Sequence, residues 1–523
     1  MTMSKLKAAA KKAKFKKIIE AQERNDPDEQ EEDSIDEMES SFIGTVINDN
    51  YLIVKYVGDG AFSRIWLTYH MATKDYRIIK IFLKGSSDEY KQEISVFKKI
   101  KNNPISVKHN MTYYETFIYK DDIENRNVYV IALPYLGQSL DEIVKDIEKK
   151  RRVYTRVPNI LSNPQDNDGK GDGDDDFTEL PLDKLQNNDE LNNDDKCDYI
   201  DGNISLKESM YIIKGMLLGL RELHSMKLMH CDMKLDNILT KYYPKKVSKF
   251  IERFRQIDFE ALRDTISTTI LGELNLNYSE MNKNKKKKIR KIIKDKTVKK
   301  FKETIQSFVN KYMDDIDNEE IQAELDRSSN DLGHGSNDEE VDILKQEIIL
   351  MDYSNATFES EIDDDCEYQI RAYRPPENIL GYTYCYNSEI WTVGCILISI
   401  LTGDDLFEPE LTGSDEKRDR EQLAIMEKYL GRISKDISLE CPKSYELYYD
   451  SGRIKNHRKV EGKTNIHDYL SKERTDLTEN EDEFNLLIDF LQKTLLYRWE
   501  MRISVDECLR HPLLLRLFPE DSL

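Results

Sequence analysis

The sequence predicts an α+β chain of two lobes, a small antiparallel sheet lobe with one helix and a larger, mainly helical lobe, carrying two flexible insertions. Three observations predict it. Residues 51–134 hold five short runs rich in β-branched and aromatic residues, with one helix-period segment among them. After Tyr135 the pattern turns helical. Two long stretches, about 150–204 and 241–345, interrupt that pattern.

Residues 1–45 read as a charged tail, basic over Lys5–Lys17 and acidic over Asn25–Glu39. It is either a solvated terminus or an arm for nuclear import or nucleic acid. Tyr51–Val57, Arg64–Tyr69 and Tyr76–Phe82 read as three strands. Asp88–Ile100 reads as a helix with Tyr90, Ile94, Phe97 and Ile100 on one stripe. Met111–Tyr119 and Asn127–Pro134 complete the small lobe (51–134). The large lobe (135–515) opens with helical patterning over Ser139–Lys149 and resumes it at Leu206–His224. The first insertion is almost all Asp, Asn and Gly over Asp166–Asp176, which cannot bury a core. The second carries a Lys-rich run from Lys283 to Lys291, a helical-looking Lys299–Tyr312 and an acidic, Ser-rich end.

The formal net charge of −22 repels nucleic acid overall and favours basic partners, so no stable nucleic-acid binding is expected. Seven scattered cysteines without a CxxC read as reduced thiols in an intracellular setting, cytoplasmic, nuclear or both. No apolar run reaches a membrane span and no signal peptide is evident, so a monomer away from membranes is expected. High Asn, Ile, Lys, Asp and Tyr usage suits an AT-rich genome, such as that of a large DNA virus (acting in its host cell) or a protist.

Five motifs then follow in order. Val57-Gly58-Asp59-Gly60-Ala61-Phe62-Ser63-Arg64-Ile65 lies in the turn between two strands, where glycines let backbone N–H groups approach a phosphate; a plain hairpin turn also explains them. Lys80 sits within an apolar strand, where a lysine needs a partner unless it lies on a surface edge. Glu93 on the following helix is the candidate, with Glu89 the alternative. His230–Leu239 places Asp232, Lys234 and Asn237 at offsets 0, +2 and +5. Asp352 ends the apolar run Ile348–Met351, a hard carboxylate suited to Mg²⁺. Arg371–Glu377 and Arg502 close the set.

From about Tyr51 to Leu515, insertions aside, the chain resembles a eukaryotic-type serine/threonine protein kinase. Within the CMGC group it is most similar to the SR-protein kinases. Gly58, Gly60, Phe62, Ser63 and Trp66 match that branch's phosphate loop, and His230-Cys231-Asp232 resembles its His-Thr-Asp. Asp352, Asn355 and Ala356 match its metal motif. Thr402–Pro409 and the segment from Lys417 are similar to two further stretches, and the insertion after Leu239 lies where the branch carries a spacer.

The resemblance implies ATP and Mg²⁺ as cofactors and protein substrates, possibly basic and Arg/Ser-rich. It gives Asp232 the substrate hydroxyl proton and Lys234 the charge on the moving phosphoryl group, and gives Asn237 and Asp352 the metal. Lys80, held by Glu93, orients the phosphates beneath residues 57–65, and Pro134–Gly137 meets the adenine. Glu377 pairs with Arg502, and acidic residues beyond Pro409 form a docking groove. Three departures stand out: Ser354 for a glycine, Glu389 for a bracing aspartate, and Cys231 for the arginine that reads a phosphorylated activation loop. The last implies activity without such phosphorylation, so that losing Thr357 leaves activity intact. The alternative function is a pseudokinase scaffold that binds partners without catalysis.

Overall fold

The computed structural model describes residues 42–104, 107–121, 126–145, 204–241, 249, 252–274, 282–329, 342–363, 366–410, 413–457, 462 and 464–521. The first insertion and nearly all of the charged tail lie outside the described residues.

The small lobe is one antiparallel sheet ordered β1-β2-β3-β4-β6-β5. Its strands are β1 (Val46–Ile47), β2 (Tyr51–Gly60), β3 (Ser63–His70), β4 (Asp75–Phe82), β5 (Glu115–Asp121) and β6 (Arg126–Pro134). The five expected strands are present, and β1 adds an edge pairing with β2 that its two residues were too few to signal. Helix α1 (Ser87–Lys101) buries Glu93, Ile94, Val96, Phe97 and Ile100. Its buried stripe therefore carries one carboxylate toward the sheet.

In the large lobe, α2 (Leu206–Ser225) starts at a capping box. There Ser205 Oγ accepts from the Glu208 N–H, and Glu208 Oε2 accepts from the Ser205 N–H. Two glycines on α2 set how closely a strand approaches it. A Cβ at Gly215 would lie 2.4 Å from Ile348 Cβ, and one at Gly219 would lie 2.7 Å from Leu350 Cδ1. That strand, β9 (Ile349–Leu350), pairs with β8 (Ile238–Leu239). Helix α5 (Tyr386–Thr402) is buried on all sides from Ser388 to Leu401 and is the lobe's centre.

The second insertion departs from the flexible segment expected. Residues Phe259–Glu273 (α3) and Lys283–Ser329 (α4) are helical. Phe254, Phe259, Ile266, Ile270, Phe301, Ile305 and Val309 form one buried cluster with Leu52, Val54, Leu67, Tyr69 and Tyr76 of the sheet. The charge count hid this, because an amphipathic helix needs only a stripe of apolar residues to dock. Ile289, Ile293, Phe301, Ile305 and Val309 supply that stripe inside a run dominated by lysine.

Candidate active site

Pairing of β8 with β9 brings the loop 230–237 beside residues 351–356. Two more bonds join the pieces: Met351 N–H donates to Asn237 O at 3.0 Å, and His230 Nε2 lies 2.9 Å from Met351 O. The strand pair β7 (Leu228–Met229) and β10 (Thr357–Phe358) closes the far side. Asp232, Asn237 and Asp352 are thereby set on one cleft, opposite the sheet that carries Lys80.

Lys80 Nζ donates to Glu93 Oε1 at 2.8 Å and to Asp352 Oδ1 at 3.0 Å. One ammonium thus ties strand β4, helix α1 and the segment after β9 together. The choice of Glu93 over Glu89 is the observed one. Burial works against the ammonium, but Asp352 and Glu93 outweigh it and raise the Lys80 pKa. Burial likewise disfavours the Asp352 carboxylate, yet Lys80 and the Ser354 N–H bring it down to about 2. Glu93 goes the other way: burial outweighs Lys80 and raises it. One ammonium serves two carboxylates here, and Glu93 Oε2 has no hydrogen-bond partner.

Asp232 is buried, and its Oδ2 accepts from Asn355 Nδ2 at 3.1 Å. Burial raises its pKa, Lys234 opposes that, and the Asp352 charge adds to it. Asn237 Nδ2 donates to Asp232 O at 2.8 Å, which leaves the amide oxygen Oδ1 for a cation. The chemistry of this donor set fits Mg²⁺. Asn237 and Asp352 offer hard oxygens, and Glu93, Asp232 and Asp352 together outnumber Lys80 and Lys234 by one charge. No three His, Cys, Asp or Glu side chains form a metal cage among the described residues.

The loop expected to cover a phosphate, residues 57–65, is the β2–β3 hairpin. Residues 58–60 pair with 63–65, and the ladder slips between Tyr56 and Gly58. A Cβ on Gly60 would lie 2.9 Å from Ser63 Oγ, whereas one on Gly58 would meet nothing within 4 Å. Open space above Gly58 is what backbone contact with a phosphate requires. Pro134–Gly137 links the lobes, and the Gly137 N–H donates to Thr240 O at 2.8 Å.

Glu389 does what an aspartate was expected to do. Its Oε1 accepts from the backbone N–H of His230 at 2.7 Å and of Cys231 at 2.9 Å, while Oε2 lies 2.7 Å from His224 Nε2. Cys231 is held at φ +64°, a conformation costly for an L-residue. The Glu377–Arg502 pair is fully buried and two-pronged, at 2.8 and 2.9 Å.

Several contacts had little sequence signal. Tyr353 fills the place after Asp352, with its hydroxyl donating to Leu350 O or Asn110 Oδ1 and its ring edge-on to Phe97. Arg371 pairs with Asp419 at 2.6 Å, and Arg374 with Glu367 at 3.0 Å. Asp419, from α6 (Asp415–Leu430), is thus buried against Arg371 and unavailable to the expected docking groove. Thr357 is 2% exposed and its hydroxyl donates to Asn355 O, so changing it probes packing rather than phosphorylation. Arg371 and Asp419 lie 48 residues apart, and only the fold joins them.

Residues 342–514 match the protein kinase domain. Over that segment the chain is similar to protein kinases. Kinase relatives include the dual specificity protein kinase lkh1 of Schizosaccharomyces pombe, 34% identical over 32% of this chain and 23% of its own length. The probable serine/threonine-protein kinase clkA of Dictyostelium discoideum is 22% identical over 92% of this chain and 37% of its own length. The serine/threonine-protein kinase SRPK of Physarum polycephalum is 30% identical over 28% of this chain and 33% of its own. The chain spans roughly a quarter to two fifths of the length of these relatives. A solved kinase domain shares the fold at TM-score 0.51 and 18% identity, over 90% of this chain and 97% of its own. The two-lobed kinase fold and the likeness to SR-protein kinases read from the sequence are both borne out. The family match begins after the loop 230–239, so the placement of Lys80, Asp232 and Asn237 rests on the fold and the geometry above.

Proposed function

We propose that the kinase domain transfers the ATP γ-phosphate to serine or threonine hydroxyls of proteins, with basic Arg/Ser-rich segments as the preferred class. The observation that carries the proposal is Lys80, bonded at once to Glu93 and Asp352. A scaffold without catalysis has no chemical need to hold that triple contact beside Asp232 and Asn237.

In this reading the hairpin 57–65 covers the phosphates and Lys80 neutralises and orients them. Asn237 and Asp352 hold Mg²⁺, which when bound screens charge on the phosphate oxygens. Asp232 accepts a hydrogen bond from the substrate hydroxyl and takes its proton as the hydroxyl oxygen attacks. Its raised pKa makes it a better base than an exposed aspartate. Lys234 stands two residues away, half-buried, to stabilise negative charge in the transition state. Ion pairs Arg371–Asp419 and Arg374–Glu367 hold the segment before Pro375 without a phosphate, which supports activity independent of activation-loop phosphorylation. The net charge of −22 and the relative named SRPK support basic substrates.

The test is phosphate transfer from ATP–Mg²⁺ to an Arg-Ser peptide, an Arg-Thr peptide and an Arg-Tyr peptide, each against Asp232→Asn. Transfer to the first two that falls by at least about 10²–10⁴-fold in the variant supports the proposal. Equal transfer to the tyrosine peptide marks dual specificity, a label two of the relatives carry. Nucleotide binding without transfer to any peptide leaves the scaffold reading standing instead.

A further inference from the structure

The insertion helices α3 and α4 form a groove of about 250 Å³ that none of the cleft residues Lys80, Asp232, Asn237 or Asp352 lines. Arg263, Asp264 and Ser267 line it from α3, and Arg290, Lys294 and Thr297 from α4. The spacings 263, 264, 267 and 290, 294, 297 each put their residues on one helical face. Three cations face one carboxylate, and two hydroxyls lie among them.

Thr297 sets this groove apart from an ordinary solvated lysine face. A threonine inside a helix usually donates to the carbonyl four residues back. Thr265, Thr268, Thr269 and Thr304, the other threonines of α3 and α4, all do so at 2.7–2.8 Å. Thr297 does not. It is 5% exposed, and its Oγ1 has no hydrogen-bond partner. A buried hydroxyl left without a partner is costly, and a ligand oxygen would remove that cost. Among the described residues, neither Arg263 nor Lys294 has an ion-pair partner.

We propose that this groove binds a phosphate monoester. The two guanidinium groups suit the planar forked recognition of phosphate oxygens, and Lys294 adds a point charge. The Ser267 and Thr297 hydroxyls donate to the remaining oxygens. Asp264 sits at the exposed edge and disfavours a ligand with anionic charge on that side, so the site reads the ester's phosphate rather than any polyanion. The groove is smaller than most drug-sized pockets, which suits one phosphate group with its first carbons. The phosphate can be carried by a small molecule or by a phosphorylated side chain.

The test uses the full chain with its catalytic cleft saturated by a non-hydrolysable ATP analogue and Mg²⁺, so that binding there does not register. Calorimetric titration is run with glycerol 3-phosphate in one arm and a phosphoserine peptide in the other. Each is repeated with Thr297→Val, Arg263→Gln and, as a control outside the groove, Lys285→Gln. Expected is one-site binding in at least one arm, weakened about tenfold or more by each groove variant and less than about twofold by the control. The arm that binds names the source of the phosphate. Thr297→Val keeps side-chain volume, and a thermal melt verifies that it folds. Absence of binding in both arms overturns the proposal. So does binding that the groove variants leave unchanged, or that Lys285→Gln weakens equally, since that is the attraction of a lysine-rich helix for any polyanion.

Discussion

Shortening Glu389 to the aspartate that the resemblance leads one to expect should damage the candidate active site. The carboxylate lies at the end of α5, fully buried, and takes the His230 and Cys231 N–H groups at 2.7 and 2.9 Å. Glu389→Asp removes one methylene and withdraws the carboxylate by about 1.5 Å. If nothing moves, both bonds lengthen to roughly 4 Å and cease to be hydrogen bonds. Each buried N–H left without an acceptor costs about 1–3 kcal/mol. The brace also holds Cys231 at φ +64°, a conformation that costs about 1–3 kcal/mol and needs such support. Partial relaxation brings the net loss to about 2–4 kcal/mol, or about 30- to 1,000-fold in the rate of a step that depends on Asp232.

Glu389→Gln separates length from charge. It keeps the reach and one acceptor oxygen, and weakens bonds that were charge-assisted by about half. Steady-state transfer to an Arg-Ser peptide should rank wild type, then Gln, then Asp in kcat. The KM for ATP should change little, since Lys80 and the hairpin 57–65 stand on the other lobe. Urea unfolding should rank the three the same way. A Glu389→Asp protein as active as wild type, or more active, would refute the reasoning and show that the loop sets its own conformation.

Arg502→Met strands the Glu377 carboxylate in a site with no exposure and should destabilise by about 3–5 kcal/mol, read by urea unfolding. The double variant Glu377→Leu/Arg502→Met should recover most of that loss; no recovery would mean that the bonds of Arg502 to Leu496 O and Asn387 O dominate. For pH dependence, Asp232 must be ionised to accept the proton, so kcat/KM should rise with pH through a pKa above the ordinary aspartate value. Asp352 stays ionised down to about 2 and does not contribute that limb. Lys234→Met removes the cation that opposes the rise and should move the limb to higher pH; a limb that stays or moves down rules out Asp232 as its source. Ile305→Ala, at a fully buried position of α4 against the sheet, should cost about 2–5 kcal/mol in thermal or urea melts, whereas a loosely attached insertion would show no change.

The chemistry of the site was legible because it lies in short, local spacings. Asp232, Lys234 and Asn237 fall within six residues, and Lys80 is conspicuous as one charge in an apolar strand. Glu93 was legible because a helix stripe with a carboxylate on its buried side needs a cation. The contacts that position these groups were not legible. Asn355 reaches Asp232 across 123 positions, and Asn110 meets Tyr353 across 243. An asparagine carries no charge mismatch to flag it in a sequence. The docking of α3 and α4 was missed for a different reason. Lysine dominates the composition of α4, and burial depends on the few residues that share its inner face.

That insertion poses a physical problem, since residues 240–348 form the connection of the β8–β9 hairpin, which carries Asn237 at one end and Asp352 at the other. A two-residue turn normally fixes hairpin register, and a one-residue slip would reverse every side chain. Here the connection cannot do that work, and other contacts do it. Leu350 N–H donates to His109 O, and Met111 N–H to Leu350 O, at 2.9 Å each. Gly137 N–H donates to Thr240 O at 2.8 Å, and Ser139 bridges Leu239. Segments preceding the hairpin in sequence therefore clamp both of its strands. Gly215 and Gly219 fix the distance of β9 from α2 as well. Lengthening the connection from two residues to about a hundred is under six doublings, or about 3–4 kcal/mol of closure entropy. Because register is set from outside, that cost falls on stability and not on geometry. The separation of Asn237 from Asp352 is thus set by contacts outside the insertion, which leaves the insertion's sequence free to vary without moving either residue.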